Sequence, residues 1–532
     1  MKNKNEKKKE NQFSPLLFST TIRNPERCKY LIKILEKYNS QILDDQLAVK
    51  IMQDCVKNKI YHSLKACKVF PEYKSLYFSA DPIPEDLSRK IVNEIKQEHK
   101  QRGFERGWSS RFKTVFEIPR LFGFVWFSEP EFSKEKIIVT NLGKKLAECC
   151  SLNDLPEPWS DEPVSEQEQS IFLHALTKYQ VNNPFKRVLN EVNPLSLLLK
   201  TIKLLNEDKK ISSAGISKKE LAILVFWRNN DANSLYNKIK DLRTNHGLNP
   251  SDEIILDICD ALTGGERQRS RQDKSILNEY PDDFNRKMVI TGLISRRGEG
   301  RYFDINKKRE DLAEYIIKNY SNLKNYNTEK DYFNYVSKED HFLLNYKTNI
   351  PEDATSQELE KWCNKLGWTV IKEELMILQK KKSSKHNILR EIVSYLRLEW
   401  LLALAIKLKC KPIEIKANLK TDDEGIPYHQ AGPKKFDIEH ENDHEYLFLE
   451  ATLIPNSEQV PKEINKIPRK IKDFIFINEE KSKKTYFIAP DIHEDTRNMA
   501  EWLNDKKNIK ITNFKIEEFI KKIEESNSLK FS

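Results

Sequence analysis

Apolar residues at helical spacing open the chain. In FSTTIRNPERCKYLIKILEKY, Ile22, Tyr30, Leu31, Ile34 and Leu35 fall on one side of a helix, and Asn24, Pro25 and Glu26 supply its N-cap, first-turn proline and first-turn acid. WSSRFKTVFEIPRLFGFVWFSEPEFSKEKIIVTNLGKKLAE then changes period. It predicts a serine-capped helix bearing Arg111, Lys113 and Arg120, a break at Gly123, and an apolar strand over 124–127. A polar turn, a second strand over 137–139 and a helix starting at Thr140 follow. Helix followed by hairpin is the order of a winged helix, whose recognition helix can enter the major groove; an ordinary α+β subdomain shares that order.

The order recurs. ISKKELAILVFW and NDANSLYNKIKDLRTNHG read as two helices, the second closed by Gly247. After an acidic helix, KMVITGLISRRGEGRYFDIN gives two strand-like runs around Gly298-Glu299-Gly300, with Arg296, Arg297 and Arg301 at the tip. Between the two modules, Leu195, Leu198, Leu199, Ile202 and Leu205 form an amphipathic helix of core type. Residues 306–345 are polar and helical and read as a linker. These patterns predict winged-helix-like DNA-recognition subdomains over 1–150 and 151–305, a helical linker over 306–345 and a separate domain over 346–532.

That last domain begins with a long apolar helix, ILREIVSYLRLEWLLALAIKLK, carrying Glu399 at its centre. Strands IEIKANLK, KFDIEH and EYLFLEATL follow, then a partly helical QVPKEINKIPRKIKDFIF, a buried-type strand TYFIAPDI, a helix through Trp502, IKITNF and a final amphipathic helix. The α-β-β-β-α-β order is that of the PD-(D/E)xK nuclease core. In YLFLEATL, Tyr446, Phe448, Glu450 and Thr452 share one strand face and Leu447, Leu449, Ala451 and Leu453 the other. A carboxylate on so apolar a strand needs a partner or a metal. Asp437 on the preceding strand can approach Glu450 across the hairpin, and two such carboxylates suit Mg²⁺. His440-Glu441-Asn442-Asp443-His444 also spells the H-E-x-x-H string of zinc peptidases. That motif needs a helix to bring both histidines to one face, and here it falls in a polar turn between strands.

Length and charge refine this picture. A chain of 532 residues suits roughly three domains. A net charge of +10 suits a polyanion partner, although a lysine-rich composition alone would give the same sign. The eight cysteines form no C-x-x-C pair and read as reduced thiols of a cytoplasmic protein. MKNKNEKKKENQ lacks the apolar segment of a signal peptide, and no apolar run approaches a membrane span, so no membrane association is expected. There is no G-x-x-x-x-G-K-[ST] and no G-x-G-x-x-G, which sets aside nucleotide-hydrolysing and dinucleotide-dependent classes.

Several segments together resemble the AlwI-type type IIS restriction endonuclease family, which also contains site-specific nicking enzymes. They are FSTTIRNPER, RFKTVFEIPRLFGFV with IVTNLGKKL, NNPFKRVLNEVNPLSLLLKTIKLL and TGLISRRGEGRYFDIN. The resemblance implies an N-terminal half that recognises a short asymmetric double-stranded DNA site. It also implies a C-terminal domain that hydrolyses phosphodiester bonds at a fixed distance outside that site with Mg²⁺, within a restriction-modification system. The matching catalytic positions are Glu399, Asp437, Glu450 (in LEAT) and Glu463 (in PKEIN), with Asp437 and Glu450 as metal ligands. Arg23, Arg111, Arg120, Arg296 and Arg301 are the expected DNA contacts.

In the general nuclease pattern a lysine stands two residues after the glutamate; here that position is Thr452, with Lys434, Lys435 or Lys462 as candidate substitutes. Two other readings remain open. The chain is a nicking enzyme or the large subunit of a two-subunit enzyme, double-strand cleavage then needing a transient homodimer or a small second subunit; or it is a non-catalytic winged-helix DNA-binding regulator.

Overall fold

The computed structural model describes residues 13–18, 24–79, 82–152, 164–186, 188–211, 215–263, 273–297, 301–346, 354–410, 415–431, 435–441, 445–454, 457–475, 482–507, 509–526 and 529. The chain separates into two compact units, Met1–Lys347 and Thr348–Ser532.

The first unit is mostly helical and is built around one apolar core running from Leu16 to Leu343. It opens with α1 (Cys28–Glu36), which buries Cys28, Leu31, Ile32, Ile34 and Leu35. After four further helices between Asp45 and Glu94, α2 (Trp108–Leu121) feeds an antiparallel pair, β1 (Val125–Trp126) and β2 (Ile138–Val139), with Val125 opposite Val139. Thr140 caps the following helix by accepting the Gly143 N–H at 3.1 Å. Helices α3 (Glu166–Lys178) and α4 (Pro194–Glu207) supply much of the core.

A second sheet has the order β3-β5-β4, all antiparallel, formed by β3 (Ile216–Ser217), β4 (Ile294–Arg297) and β5 (Tyr302–Ile305). Between β3 and β4 come α5 (Glu220–Val225) and α6 (Ala232–His246). A buried bidentate pair joins these helices: Arg243 Nε and Nη2 each lie 2.8 Å from a Glu220 oxygen.

Residues 306–345, expected as a linker, contribute to this core. Helix α7 (Glu310–Tyr320) buries Leu312 and Ile316, α8 (Glu329–Ser337) buries Tyr332 and Val336, and Leu343 follows. The fit to the first hairpin is close. A Cβ on Gly123, whose φ is +75°, would stand 2.8 Å from the Ser337 backbone nitrogen, so only glycine serves at that approach.

The second unit is a mixed sheet covered on both faces. Two helical segments broken at Gly367 (α9, Ala354–Gln379) pack against α10 (Ser394–Lys409), which is buried from Leu396 to Ile406. The five-stranded sheet has the order β12-β11-β10-β9-β6. Its strands are β6 (Lys416–Ala417), β9 (Ile438–Glu441), β10 (Glu445–Ala451), β11 (Ser482–Ala489) and β12 (Lys510–Lys515). A separate hairpin pairs β7 (Lys420–Thr421) with β8 (Pro427–His429). β10 runs parallel to β11 and antiparallel to β9.

Alternation along β10 divides the cores. Leu447 and Leu449 pack with the α9 and α10 side chains, while Tyr446 and Phe448 pack with Ile467 and Ile471 of α11 (Ile467–Ile475) and with Ala500 and Leu503 of α12 (Glu494–Lys507). A last helix, α13 (Ile516–Ser526), joins the first of these two cores through Phe519, Ile520 and Ile523. Among the described residues no helix is long and apolar enough to cross a membrane.

Candidate active site

The hairpin of β9 and β10 sets two carboxylates side by side. Asp437 stands just before β9. Its backbone N–H donates to the Leu449 carbonyl at 3.2 Å, and its Oδ2 accepts the Ala451 N–H at 2.8 Å. Asp437 is thus bonded to both neighbours of Glu450. All the side chains involved are buried: Glu399 is 5% exposed, Asp437 8% and Glu450 4%. Glu399 comes from the middle of α10, and its Oε2 is buried without a hydrogen-bond partner. Glu463 ends a short helical turn (Gln459–Lys462), where Lys466 Nζ stands 3.5 Å from its Oε2.

A cation from outside the strand motif completes the cluster. Lys470 on α11 is 7% exposed, and its Nζ is hydrogen-bonded to Glu450 Oε1. It stands far from Glu450 in the chain and on another element, not two residues along the strand. Thr452 has other work: its N–H donates to the Ile488 carbonyl at 3.0 Å and its Oγ1 accepts the Ile454 N–H at 3.2 Å. Of the substitutes considered, Lys462 pairs with Glu458 at 3.1 Å, Lys435 is exposed, and Lys434 lies outside the described residues.

Burial and crowding set the protonation of these groups. Burial raises Asp437 to about 6, against the pull of Lys470 and the Ala451 N–H. Burial, then repulsion from Asp437, drives Glu450 well above the usual carboxylate range. Burial, then Asp437, Glu450 and Glu463, does the same to Glu399. Burial also raises Glu463, with Lys466 opposing. Burial disfavours the Lys470 ammonium, but Glu450 and Asp437 hold its pKa above the ordinary lysine value.

In metal-free protein these carboxyls bind protons in the fold that the unfolded chain would release at the same pH. Their contribution to stability is complete in acid and is lost as pH rises, through about 6 for Asp437 and above the usual carboxylate range for Glu399, Glu450 and Glu463. The melting temperature in EDTA is therefore expected to fall between about pH 5 and pH 8, and to fall less in a Glu399→Gln/Glu450→Gln variant. A profile identical in both proteins would show that the cluster is not coupled to folding.

Among the described residues no three His, Cys, Asp or Glu side chains converge into a complete metal cage. Mg²⁺ does not require one: it takes one or two carboxylates and fills the remaining positions with water and phosphate. Asp437 and Glu450 offer that hard-oxygen pair, and the unpartnered Glu399 Oε2 offers a further acceptor nearby. The zinc motif is not formed by a helix, since His440 sits in β9 opposite Leu447; residues 442–444 lie outside the described residues.

The expected DNA contacts scatter. Arg120 is 4% exposed and spends its guanidinium on Glu129 at 2.9 Å and Glu329 at 2.6 Å, over the Phe185 ring. It is a core residue, not a surface contact. Arg111 is half-buried, with Nε donating to the Tyr61 hydroxyl at 2.7 Å. The helix carrying both is itself buried along most of its length. Arg296 is half-buried on β4, its neighbour Arg297 is tied to Asp304, and Arg301 is exposed at the foot of β5. Arg23 and the 298–300 tip lie outside the described residues. Arg120→Met should cost about 3 kcal/mol of stability by removing the cation of Glu329 and leaving Glu129 to Lys113 alone, while leaving the salt dependence of DNA binding unchanged. Thermal melts and salt titrations check both halves of that expectation.

A carboxylate cluster with a buried lysine, built on the central strand of a mixed sheet in a two-unit chain, is an arrangement suited to phosphodiester hydrolysis. The chain is a restriction endonuclease by family. The model of the AlwI restriction endonuclease family matches residues 122–370 and 345–521, and the chain belongs to that family.

No curated protein matches the sequence. Among solved structures, the small subunit (R.BspD6I2) of the heterodimeric restriction endonuclease R.BspD6I is 18% identical, covering 29% of this chain and 76% of that one, with a TM-score of 0.24. Restriction endonuclease FokI is 12% identical over 94% of both chains, with a TM-score of 0.23, and 0.20 for its DNA-bound form. Backbone agreement at that level does not define a shared fold.

Proposed function

We propose that this chain is a Mg²⁺-dependent type IIS restriction endonuclease: it binds a short asymmetric double-stranded DNA site through its first unit and cuts outside that site with its second. The observation that carries the proposal is the Asp437–Glu450–Lys470 cluster. Asp437 and Glu450 would hold Mg²⁺, which when bound supplies Lewis-acid chemistry at the scissile phosphate. Glu450 orients the Lys470 ammonium. From that position Lys470 hydrogen-bonds the attacking water or a phosphate oxygen and balances developing negative charge. Glu463, the most exposed of the four acids, accepts a proton at the solvent edge, and Glu399 completes the acidic lining.

The topology of the second unit, a buried α10 followed by a mixed sheet with the acids at the β9–β10 hairpin, supports a PD-(D/E)xK-type core. In the first unit, a run of helices (α5, α6, then Asp252–Thr263 and Tyr280–Val289) ahead of the β4–β5 hairpin supports a winged-helix-like reader. α6 turns Asn233, Asn237, Lys238 and Thr244 to solvent, side chains suited to base edges, and Arg301 stands at the foot of β5. Separate units for recognition and chemistry suit a cut displaced from the recognised sequence.

The chain holds one such carboxylate–lysine cluster among its described residues, and one cluster cuts one strand at a time. Cleavage of both strands therefore calls for a second copy or a small catalytic subunit, and a chain acting alone nicks. A non-catalytic regulator would have no use for several buried, mutually repelling carboxylates.

The test is cleavage of supercoiled plasmid and phage DNA by purified protein in Mg²⁺ and in EDTA. Discrete fragments or open circles that require Mg²⁺ support the proposal, and linear against open-circular product separates double-strand cutting from nicking. Bound but intact DNA under every condition overturns it.

A further inference from the structure

The carboxylate cluster would by itself repel a polyanion, yet its solvent edge is lined with cations. Glu463 keeps 23% side-chain exposure against 5% for Glu450, so the cluster opens to solvent at Glu463. Lys466, 54% exposed, stands on that opening. From there α11 has two faces. Ile467, Lys470 and Ile471 turn inward, while Arg469 and Lys472, with Lys466 in the turn just before the helix, are spaced three residues apart and form one exposed stripe. At about 1.5 Å rise per residue the stripe is about 9 Å long, enough to span more than one phosphate of a strand. Lys435, also exposed, adds a cation two residues before Asp437. Among the described residues neither Arg469 nor Lys472 lies within ion-pair distance of a carboxylate. The same helix thus delivers one cation to the buried acids and a row of cations to the rim.

We propose that Lys435, Lys466, Arg469 and Lys472 form a ridge that binds the phosphodiester backbone of duplex DNA beside the scissile phosphate, drawing the strand onto the acidic site. The identity of the polyanion rests on the nuclease reading. Cations within a Debye length of about 10 Å offset the repulsion that the acids impose on an incoming strand. Each phosphate contact should contribute about 0.9 to the log–log salt dependence of binding.

The test uses the full chain and an Arg469→Gln/Lys472→Gln variant, both positions being exposed and outside the acid cluster. Binding of a fluorescein-labelled mixed-sequence duplex in EDTA, titrated with salt, is expected to show a slope shallower by about 1.8 in the variant. Plasmid cleavage in Mg²⁺ should show a KM raised about tenfold at moderate salt, with kcat within about twofold of wild type. A Lys506→Gln/Lys507→Gln control on α12 should leave slope and KM unchanged, since simple loss of net charge is not the cause. Equal slopes and equal KM in wild type and ridge variant would overturn the proposal, as would the same loss in the control. Wild-type cleavage is scored separately: a shallower slope in a protein that cuts no DNA leaves the ridge standing and removes the nuclease reading.

Discussion

Glu450→Gln is expected to lower single-turnover DNA cleavage by at least about a thousandfold while duplex binding stays within about twofold of wild type. The substitution preserves volume and leaves the β10 backbone pairing with β9 and β11 in place. What it removes is charge. The neutral amide is a poor partner for a divalent cation and offers the Lys470 ammonium only an uncharged, weaker acceptor, so positioning of the metal and of the lysine both suffer. Stability should not suffer in proportion, because Lys470 keeps Asp437 and Glu463 as electrostatic partners. A melting temperature near that of wild type, measured beside the cleavage rate, separates lost chemistry from lost fold. Retention of activity within about tenfold would mean that the reaction centre lies elsewhere in the chain.

The parts of this site that sequence makes legible are local ones. Strand period alone puts Glu450 on the Tyr446–Phe448 face, and the short polar connection between two strand runs makes Asp437 its cross-strand neighbour. The lysine was not legible. Lys470 reaches Glu450 because Ile464, Ile467 and Ile471 seat α11 against Phe436, Tyr446 and Phe448, a packing event that no fixed spacing encodes.

The burial of Arg120 was not legible for a related reason. Sequence displays its charge but not the distant Phe185 and Glu329 that enclose it. Residues 306–345 read as a linker because their lysines, asparagines and tyrosines outnumber their aliphatics. A few well-spaced aliphatic and aromatic side chains, Leu312, Ile316, Tyr332, Val336 and Leu343, suffice to anchor those helices in the core. The recognised base sequence is set by side-chain placement in a groove, which periodicity does not encode.

Lys470→Met should lower the cleavage rate by about 10²–10⁴-fold, the range for losing one positioned proton donor and charge. It should also cost about 3–5 kcal/mol of stability at neutral pH, because it removes one partner of a buried ion pair. Part of that cost is avoidable: Glu450, already driven toward protonation by burial, can take up a proton once the ammonium is gone. The variant should therefore approach wild-type stability in acid and lose ground as pH rises, more steeply than wild type. Lys470→Arg should recover stability better than activity, since guanidinium keeps the charge but differs in shape and does not give up its proton.

A second substitution separates chemistry from folding. Thr452 lies on the same face of the strand run as Glu450, two positions on, where the general nuclease pattern has its lysine. Thr452→Lys in the Lys470→Met background should restore cleavage at least about tenfold if the ammonium itself is what the reaction requires. If Lys470→Met cleaves within about threefold of wild type in Mg²⁺, the lysine is structural, and Asp437 and Glu450 carry the reaction without it.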